Sequence, residues 1–283
     1  MRLFVKQLFM ASHLVLRKNL SAMKGKTLYF GGTDLCGYTK GGIPHGNISG
    51  YIIKNLPMFA KRKMVLPYQV YRIGDFEERT KTIAQLALQQ DVTQILFAEP
   101  IEAILFFDYL REHKEELLLH LTILGKKKIV KRLTNEEFTP INIWPNLKVI
   151  NCVKTHMNGI YLDKLVEKIG TKDMIIRDPG IYSSEAPISL CIFNDDPSAI
   201  PLFNMVFYEF LEEGKERPVT IDRVEEGKDY QLVITTQEGL YRYNLGDVVR
   251  VTGFKGRISL LRFVHRSKFI DLSGEKCQET EIV

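Results

Sequence analysis

Apolar and polar positions along the first 180 residues switch repeatedly between helical and strand spacing. Residues 4–19 carry an apolar stripe broken by Lys6 and His13 and predict an amphipathic helix. "KGKTLYFGG", Lys24 to Gly32, predicts a strand running into a glycine-rich loop. "ERTKTIAQLALQQ", Glu78 to Gln90, joins good helix formers to apolar residues at Ile83, Leu86 and Leu88, and the β-branched run "VTQILFAEP" after it predicts a strand. Pro100 then opens a long predicted helix, Ile101 to about Leu121, because proline suits a first helical turn. Its first half is apolar almost all round, with Ile104, Leu105, Phe106 and Phe107, which predicts burial. A strand at Leu147–Val153, a helix at Leu162–Ile169 and a strand in "DMIIRD" complete the series. Strands alternating with helices predict an α/β domain built on a largely parallel sheet.

After Ile181 the spacing changes. Short strands follow one another: "ISLCIF", "MVFYEFLE", "YQLVITT", "GLYRY", "VVRVTGF" and "LLRFVHR", with turn signals between them. The expected division is therefore residues 1–180 as an α/β part and residues 181–283 as a β-rich part. No internal repeat or low-complexity segment interrupts either.

Composition narrows the class. The 283 residues are 45% hydrophobic and 26% charged, ordinary for a globular chain with a sizeable core. Net charge is +5 and spread out, which speaks against a nucleic-acid partner; the densest basic run, Lys126 to Lys128 with Lys131 and Arg132, reads as a solvated face or loop. No apolar run reaches the roughly 18 residues of a membrane span, and no cleavage site follows the first helix. Cys36, Cys152, Cys191 and Cys277 show no CxxC spacing, so a reducing, cytoplasmic setting is expected, and Cys152 with His156 reads as core rather than zinc.

Four stretches carry candidate chemistry. In "GGTDLCGYTKGG", Gly31 to Gly42, the residues after Gly37 are Tyr38 and Thr39, not the Lys and Ser or Thr of a phosphate loop, so a structural turn fits better. In "DPGIYSSEAP", Asp178 to Pro187, Ser183 and Ser184 can donate to phosphate oxygens and Glu185 can hold Mg²⁺; the same Ser-Ser-Glu can equally cap a helix. In "EGLYRYNLGDVVRV", Glu238 to Val251, Asp247 follows Gly246. A carboxylate can accept from two vicinal ribose hydroxyls at once, and it can equally close a turn at a strand end. In "RFVHRSKFIDLSGEKCQE", Arg262 to Glu279, Arg266 and Lys276 lie ten apart and Phe263 three before the arginine, either a nucleotide clamp or a charged surface hairpin.

The order of these pieces is distinctive. "SSE", "FYEFLE", "ITTQEGLYRYNLGDVVRV" and "FVHRSKFIDLSGEK" closely resemble the auxin-responsive Gretchen Hagen family of acyl-acid amido synthetases, in the adenylate-forming superfamily. "LYRYNLGDVV" is nearly the family's own string, and "KGKTLYF", "YTKGGIPHGNISGY" and "IWPNLKVI" are similar to its upstream segments in the same order. The resemblance implies an adenylate-forming N-terminal domain that activates a carboxylic acid with ATP and passes the acyl group to an amino acid. It implies that Ser183, Ser184 and Glu185 touch phosphate and Mg²⁺, with Ser184 and Glu185 closest to the chemistry. It further implies that Asp247 binds the ribose, and that Phe263, Arg266 and Lys276 contact the nucleotide before a hinge. Three departures accompany it. The family's SSGTS-type phosphate loop should precede Met1, its mobile C-terminal domain should follow Val283, and Ile181 stands where an aromatic should stack on adenine, with Tyr182 one place late. Thr155 and His156 also stand where the family tends to have a glycine beside the base. The resemblance thus implies a chain truncated at both ends, working as a ligase fragment or kept as an inactive interaction module.

Overall fold

A computed structural model describes residues 20–154, 159–171, 173–267, 270–272 and 275–277, with side chains described for 20–154, 161–171 and 173–267. The helix expected at 4–19 and the positions of Thr155 and His156 lie outside the described residues. Strand β1 (Lys26–Tyr29) leads into a small hairpin, β2 (Gly37–Tyr38) and β3 (Pro44–His45). β4 (Val92–Leu96), β5 (Val149–Asn151) and β6 (Ile175–Arg177) join β1 in a four-stranded parallel sheet of order β1-β4-β5-β6. The alternation of periods read from the sequence is thus an α/β unit.

β4 shows why the parallel reading works. Its residues are buried on both faces, as parallel strands covered by helices must be. Thr93, though polar, is 2% exposed and donates from Oγ1 to the Ala22 carbonyl at 2.6 Å, so its burial leaves no hydroxyl proton unmet. Helix Phe76–Ala87 starts at Asp75, whose carboxylate accepts from the Glu78 backbone N–H at 2.7 Å. Helices Pro100–Glu112 and Gly159–Ile169 pack on the same core as the sheet, through Leu110, Leu165 and Ile169 among others. Trp144, 2% exposed, donates from Nε1 to the Ala87 carbonyl at 3.0 Å and locks a helix end to this core.

The long helix expected from Ile101 to Leu121 is two helices, Pro100–Glu112 and Lys114–Ile123. His113 breaks it at φ −101°, ψ 20°, with its ring stacked on Tyr109 at 4.0 Å. Nor is the first half apolar-buried all round: Leu105 is 57% exposed while Ile104, Phe106 and Phe107 are buried. Arg132, read as part of a solvated face, donates to the carbonyls of Asn142 and Ile143, the latter at 3.0 Å, and so closes the end of a short helix.

The second unit is a seven-stranded antiparallel sheet of order β10-β9-β11-β12-β13-β8-β7. Its strands are β7 (Ser189–Cys191), β8 (Ala199–Pro201), β9 (Val206–Glu212), β10 (Val219–Thr220), β11 (Asp229–Thr236), β12 (Tyr243–Lys255) and β13 (Ile258–Arg266). Phe210, Leu232, Ile234, Val249, Val251 and Leu261, each fully buried, form its core. Burying each such side chain stabilises the fold by about 1.5–3 kcal/mol. "GLYRY" is no separate strand: Arg242 turns the chain with φ 45°, and one long strand runs from Tyr243. A separate hairpin, β14 (Ile270–Leu272) with β15 (Glu275–Cys277), sets Asp271 opposite Lys276. The hairpin form expected of that stretch is present, while the Lys276 side chain lies outside the described residues.

Candidate functional site

β12 is bent by design of its sequence. Gln231 on β11 pairs with Val248 and Val233 pairs with Asn244, so Leu232 alone faces Leu245, Gly246 and Asp247. Gly246 takes up the excess with φ 80°, a conformation that costs glycine nothing and other residues about 1–2 kcal/mol. Its backbone groups have left the ladder and are met by side chains and a neighbour. Asn244 Oδ1 accepts from Gly246 N–H at 2.9 Å, and the Gly246 carbonyl accepts from Ser267 N–H at 2.7 Å and Ser267 Oγ at 2.9 Å. Gln231 closes the ring, donating to Ser267 Oγ at 2.5 Å and accepting from Asn244 Nδ2 at 3.0 Å.

Next in the chain, Asp247 pairs with Arg266 on β13. Arg266 Nε donates to Asp247 Oδ1 at 2.8 Å; the carboxylate side chain is 6% exposed and the guanidinium 45%. Two candidate residues nineteen apart are therefore in contact, one buried and one at the rim. Asp247 is not at the strand's start but its fifth residue, in phase with the core positions Leu245, Val249 and Val251. A buried carboxylate costs several kcal/mol unless paired, which Arg266 supplies from the solvent side. Phe263 pairs with Val249 and packs partly buried against the second core.

The Ser-Ser-Glu stretch caps no helix. It is the tip of a tight hairpin closed by a Tyr182–Pro187 bridge. Gly180, at φ 105°, lets the chain pass so close to β7 that a Cβ there would lie 2.4 Å from the Ser189 carbonyl oxygen. Ser189 Oγ accepts from Ile181 N–H at 3.0 Å, and the Ile181 carbonyl accepts from Ile188 and Ser189 N–H. Ser183 Oγ is engaged inside the turn, donating to the Ala186 carbonyl at 3.0 Å; Ser184 is exposed. Glu185 reaches β12: Tyr243 Oη donates to its Oε1 at 3.4 Å. Tyr243 thus ties the hairpin tip to the strand that carries Asp247, four residues along. Ile181 is buried in the second core, and Tyr182 is 41% exposed.

Sequence reasoning missed Tyr243, Gln231, Asn244 and Ser267, polar residues on or beside β-branched strands that only register brings together. Among the described residues no group of three or more His, Cys, Asp or Glu could hold a metal, and no helix is long and apolar enough to cross a membrane. The glycine-rich stretch at 31–42 forms the β2–β3 hairpin and a turn in which Ser49 Oγ accepts from Gly32 N–H at 3.0 Å.

Residues 3–139 match the GH3 family N-terminal domain, and residues 199–266, which hold the bulge, Asp247 and Arg266, match the GH3 family central domain. The chain belongs to the GH3 family. The resemblance implied by "LYRYNLGDVV" holds over both parts. This GH3 chain is 33% identical over 186 residues to the indole-3-acetic acid-amido synthetase GH3.10 of Arabidopsis thaliana, covering 57% of this chain and 29% of that protein. It is 34% identical over 154 residues to the probable indole-3-acetic acid-amido synthetase GH3.9 of Oryza sativa subsp. japonica, covering 50% of this chain and 33% of that protein. The matched stretch thus spans about a third or less of those curated relatives. The solved structure of a GH3.15 acyl acid amido synthetase superposes with a TM-score of 0.78 at 21% identity, over 97% of this chain and 56% of that one. The fold is that of this GH3.15 structure, parallel unit and antiparallel sheet together.

Proposed function

We propose that this GH3 chain carries the nucleotide-binding part of an ATP-dependent acyl-acid amido synthetase. A carboxylate oxygen of the acid attacks the α-phosphorus of ATP and pyrophosphate leaves; an amino acid's amine then attacks the acyl carbon and AMP leaves. The observation that carries this reading is the Asp247–Arg266 pair beside the Gly246 bulge, with the Glu185 tip tied to the same strand. Asp247 accepts from the ribose hydroxyls, and Arg266 turns from it to the phosphates. Ser184 and the Ser183 backbone border the phosphates, while Phe263 and Lys276 flank the nucleotide. Glu185 is the carboxylate that would hold Mg²⁺, which would supply positive charge beside the phosphates. Such chemistry needs positioned cations and hydroxyls, not a protein nucleophile. The division at residues 180 and 181 and a cytoplasmic setting, the latter supported by free Cys36, Cys152 and Cys191, belong to the same proposal.

ATP–pyrophosphate exchange with a panel of carboxylic acids tests it. Exchange that depends on an added acid is expected, and none with any acid contradicts adenylation by this chain. A second reading, an inactive interaction module on the same fold, is favoured by Ile181. That side chain lies in the core where the resemblance calls for an aromatic over adenine. Failure to bind ATP with Mg²⁺ at millimolar concentration would decide for it.

A further inference from the structure

Two helices that nucleotide binding does not use form a hairpin with a basic tip. Helix Lys114–Ile123 ends at Leu124, and helix Lys127–Thr134 packs back along it. Lys114 Nζ donates to the Glu136 carbonyl at 3.1 Å and the Thr134 carbonyl at 3.4 Å, so the second helix ends where the first begins. Gly125, at φ 69°, makes the turn. Lys126 N–H bonds to the Leu121 carbonyl and Gly125 N–H to the Thr122 carbonyl, each at 2.9 Å, the Schellman closure of a helix. From Leu117 to Asn135 there is no Asp or Glu, and Lys126, Lys127, Lys128, Lys131 and Arg132 are cations. Arg132 is held by the Asn142 and Ile143 carbonyls. The four lysines are exposed and have no ion-pair partner among the described residues. Lys127, Lys128 and Lys131 share the outer face of their helix, opposite Ile129, Val130 and Leu133, which pack on the first core.

The hairpin's acids gather at its base. Glu112, Glu115 and Glu116 stand at the start of the first helix, and Glu136 and Glu137 follow the end of the second. Glu116 is paired with Lys81 at 2.5 Å, on helix Phe76–Ala87. It lies seven residues before Ile123, about 10 Å along the helix, beyond the roughly 8 Å over which charge is screened at physiological salt. Beside the lysines the tip also bares apolar surface. Leu119, Ile123 and Leu124 are 61%, 75% and 45% exposed. Leu119 and Ile123 are one turn apart on the same face, and Leu124 lies two residues before Lys126. Leu117, Leu118 and Leu121 hold the hairpin to the first core without them. Apolar side chains this exposed stand on a convex corner, not in a groove. A bilayer surface yields to such a corner and takes its apolar groups, while anionic headgroups meet the lysines. Duplex nucleic acid would pair the lysines and leave the apolar side chains in water, and an acidic peptide would find no groove to lie in. We propose that this tip docks on an anionic lipid surface. Ile123 and Leu124 enter the headgroup boundary, and Lys126, Lys127, Lys128 and Lys131 face the lipid phosphates and carboxylates. The chain rests on the bilayer and does not cross it through a described helix, since none is long and apolar enough.

Co-sedimentation of the whole chain with vesicles tests the docking site. One set is phosphatidylcholine alone; the other is phosphatidylcholine and phosphatidylserine in equal parts. A lysine near an anionic surface strengthens binding about fivefold, so the mixed vesicles are expected to bind about a hundredfold or more tighter than the neutral ones. The triple change Lys126→Glu, Lys127→Glu and Lys128→Glu is expected to remove that difference. The double change Ile123→Ser and Leu124→Ser is expected to weaken binding to the mixed vesicles about tenfold or more. The proposal is overturned if neither vesicle binds, if both bind alike, or if either variant binds like the parent. It is overturned equally if duplex DNA or polyglutamate, at the same concentration of negative charge, binds more tightly than the mixed vesicles. Should a variant not fold, the two-vesicle comparison on the unaltered chain decides. Pyrophosphate exchange uses none of these side chains, so the lipid result and the adenylation result stand or fall separately.

Discussion

Cys152, fully buried just past the end of β5, has its thiol pushed up to about 12 by burial first and by the charge of Asp178 second. Cys36 is exposed. Only the thiolate alkylates, so at pH 8.5 Cys152 offers almost none and no path to it. Iodoacetamide at that pH, read by peptide mass spectrometry, is expected to label Cys36 fully before Cys152 is detectable; equal rates would show that the end of β5 opens readily. Cys152 as a core residue was legible, because a lone cysteine in an apolar strand has nothing else to do. Asp247 was legible too, as an acid after a glycine in a β-branched run. Its partner was not. Arg266 meets it only because β12 and β13 pair with residue slips at Val248/Val249 and Val251/Gly253, and a slip of one residue changes which side chains face each other.

Elements bend where glycine lets them, and the two bends that shape this site differ in kind. At Gly180 a Cβ would strike backbone, 2.4 Å from the Ser189 carbonyl oxygen and 2.9 Å from Leu190 Cα. At Gly246 the demand is the positive φ of the bulge. Gly180→Ala is therefore expected to cost about 2 kcal/mol or more in urea denaturation, and Gly246→Ala about 1–3 kcal/mol. Stability unchanged in both would mean that neither bend is held as described. The turn at Pro179-Gly180 was visible in the sequence; that Ser-Ser-Glu sits on a hairpin tip rather than a helix cap was not, because the same residue types suit both until the Tyr182–Pro187 bridge closes. The break at His113 was missed for a related reason. Apolar residues on either side keep helical spacing, and the only local hint is the pair Glu115 and Glu116 opening a new first turn.

At the scale of the whole molecule, two sheets with separate cores meet through the stretch from Arg177 to Ser189. Asp178 is the tie: its carboxylate holds Lys154 at the end of β5 and Gly180 at the start of the hairpin. The switch from helix-strand alternation to strand after strand made this two-part architecture readable, since period and turn spacing survive without knowledge of partners. The candidate site did not read as a unit, because Glu185, Gln231, Asp247 and Arg266 come from four places in the chain and meet only through strand register. The measurement that tests the account most directly is a structure of the chain with AMP bound. The account predicts both ribose hydroxyls within about 3 Å of the Asp247 carboxylate, and Arg266 turned from it toward the phosphate. AMP bound elsewhere, with the 2.8 Å Asp247–Arg266 pair intact, would contradict it.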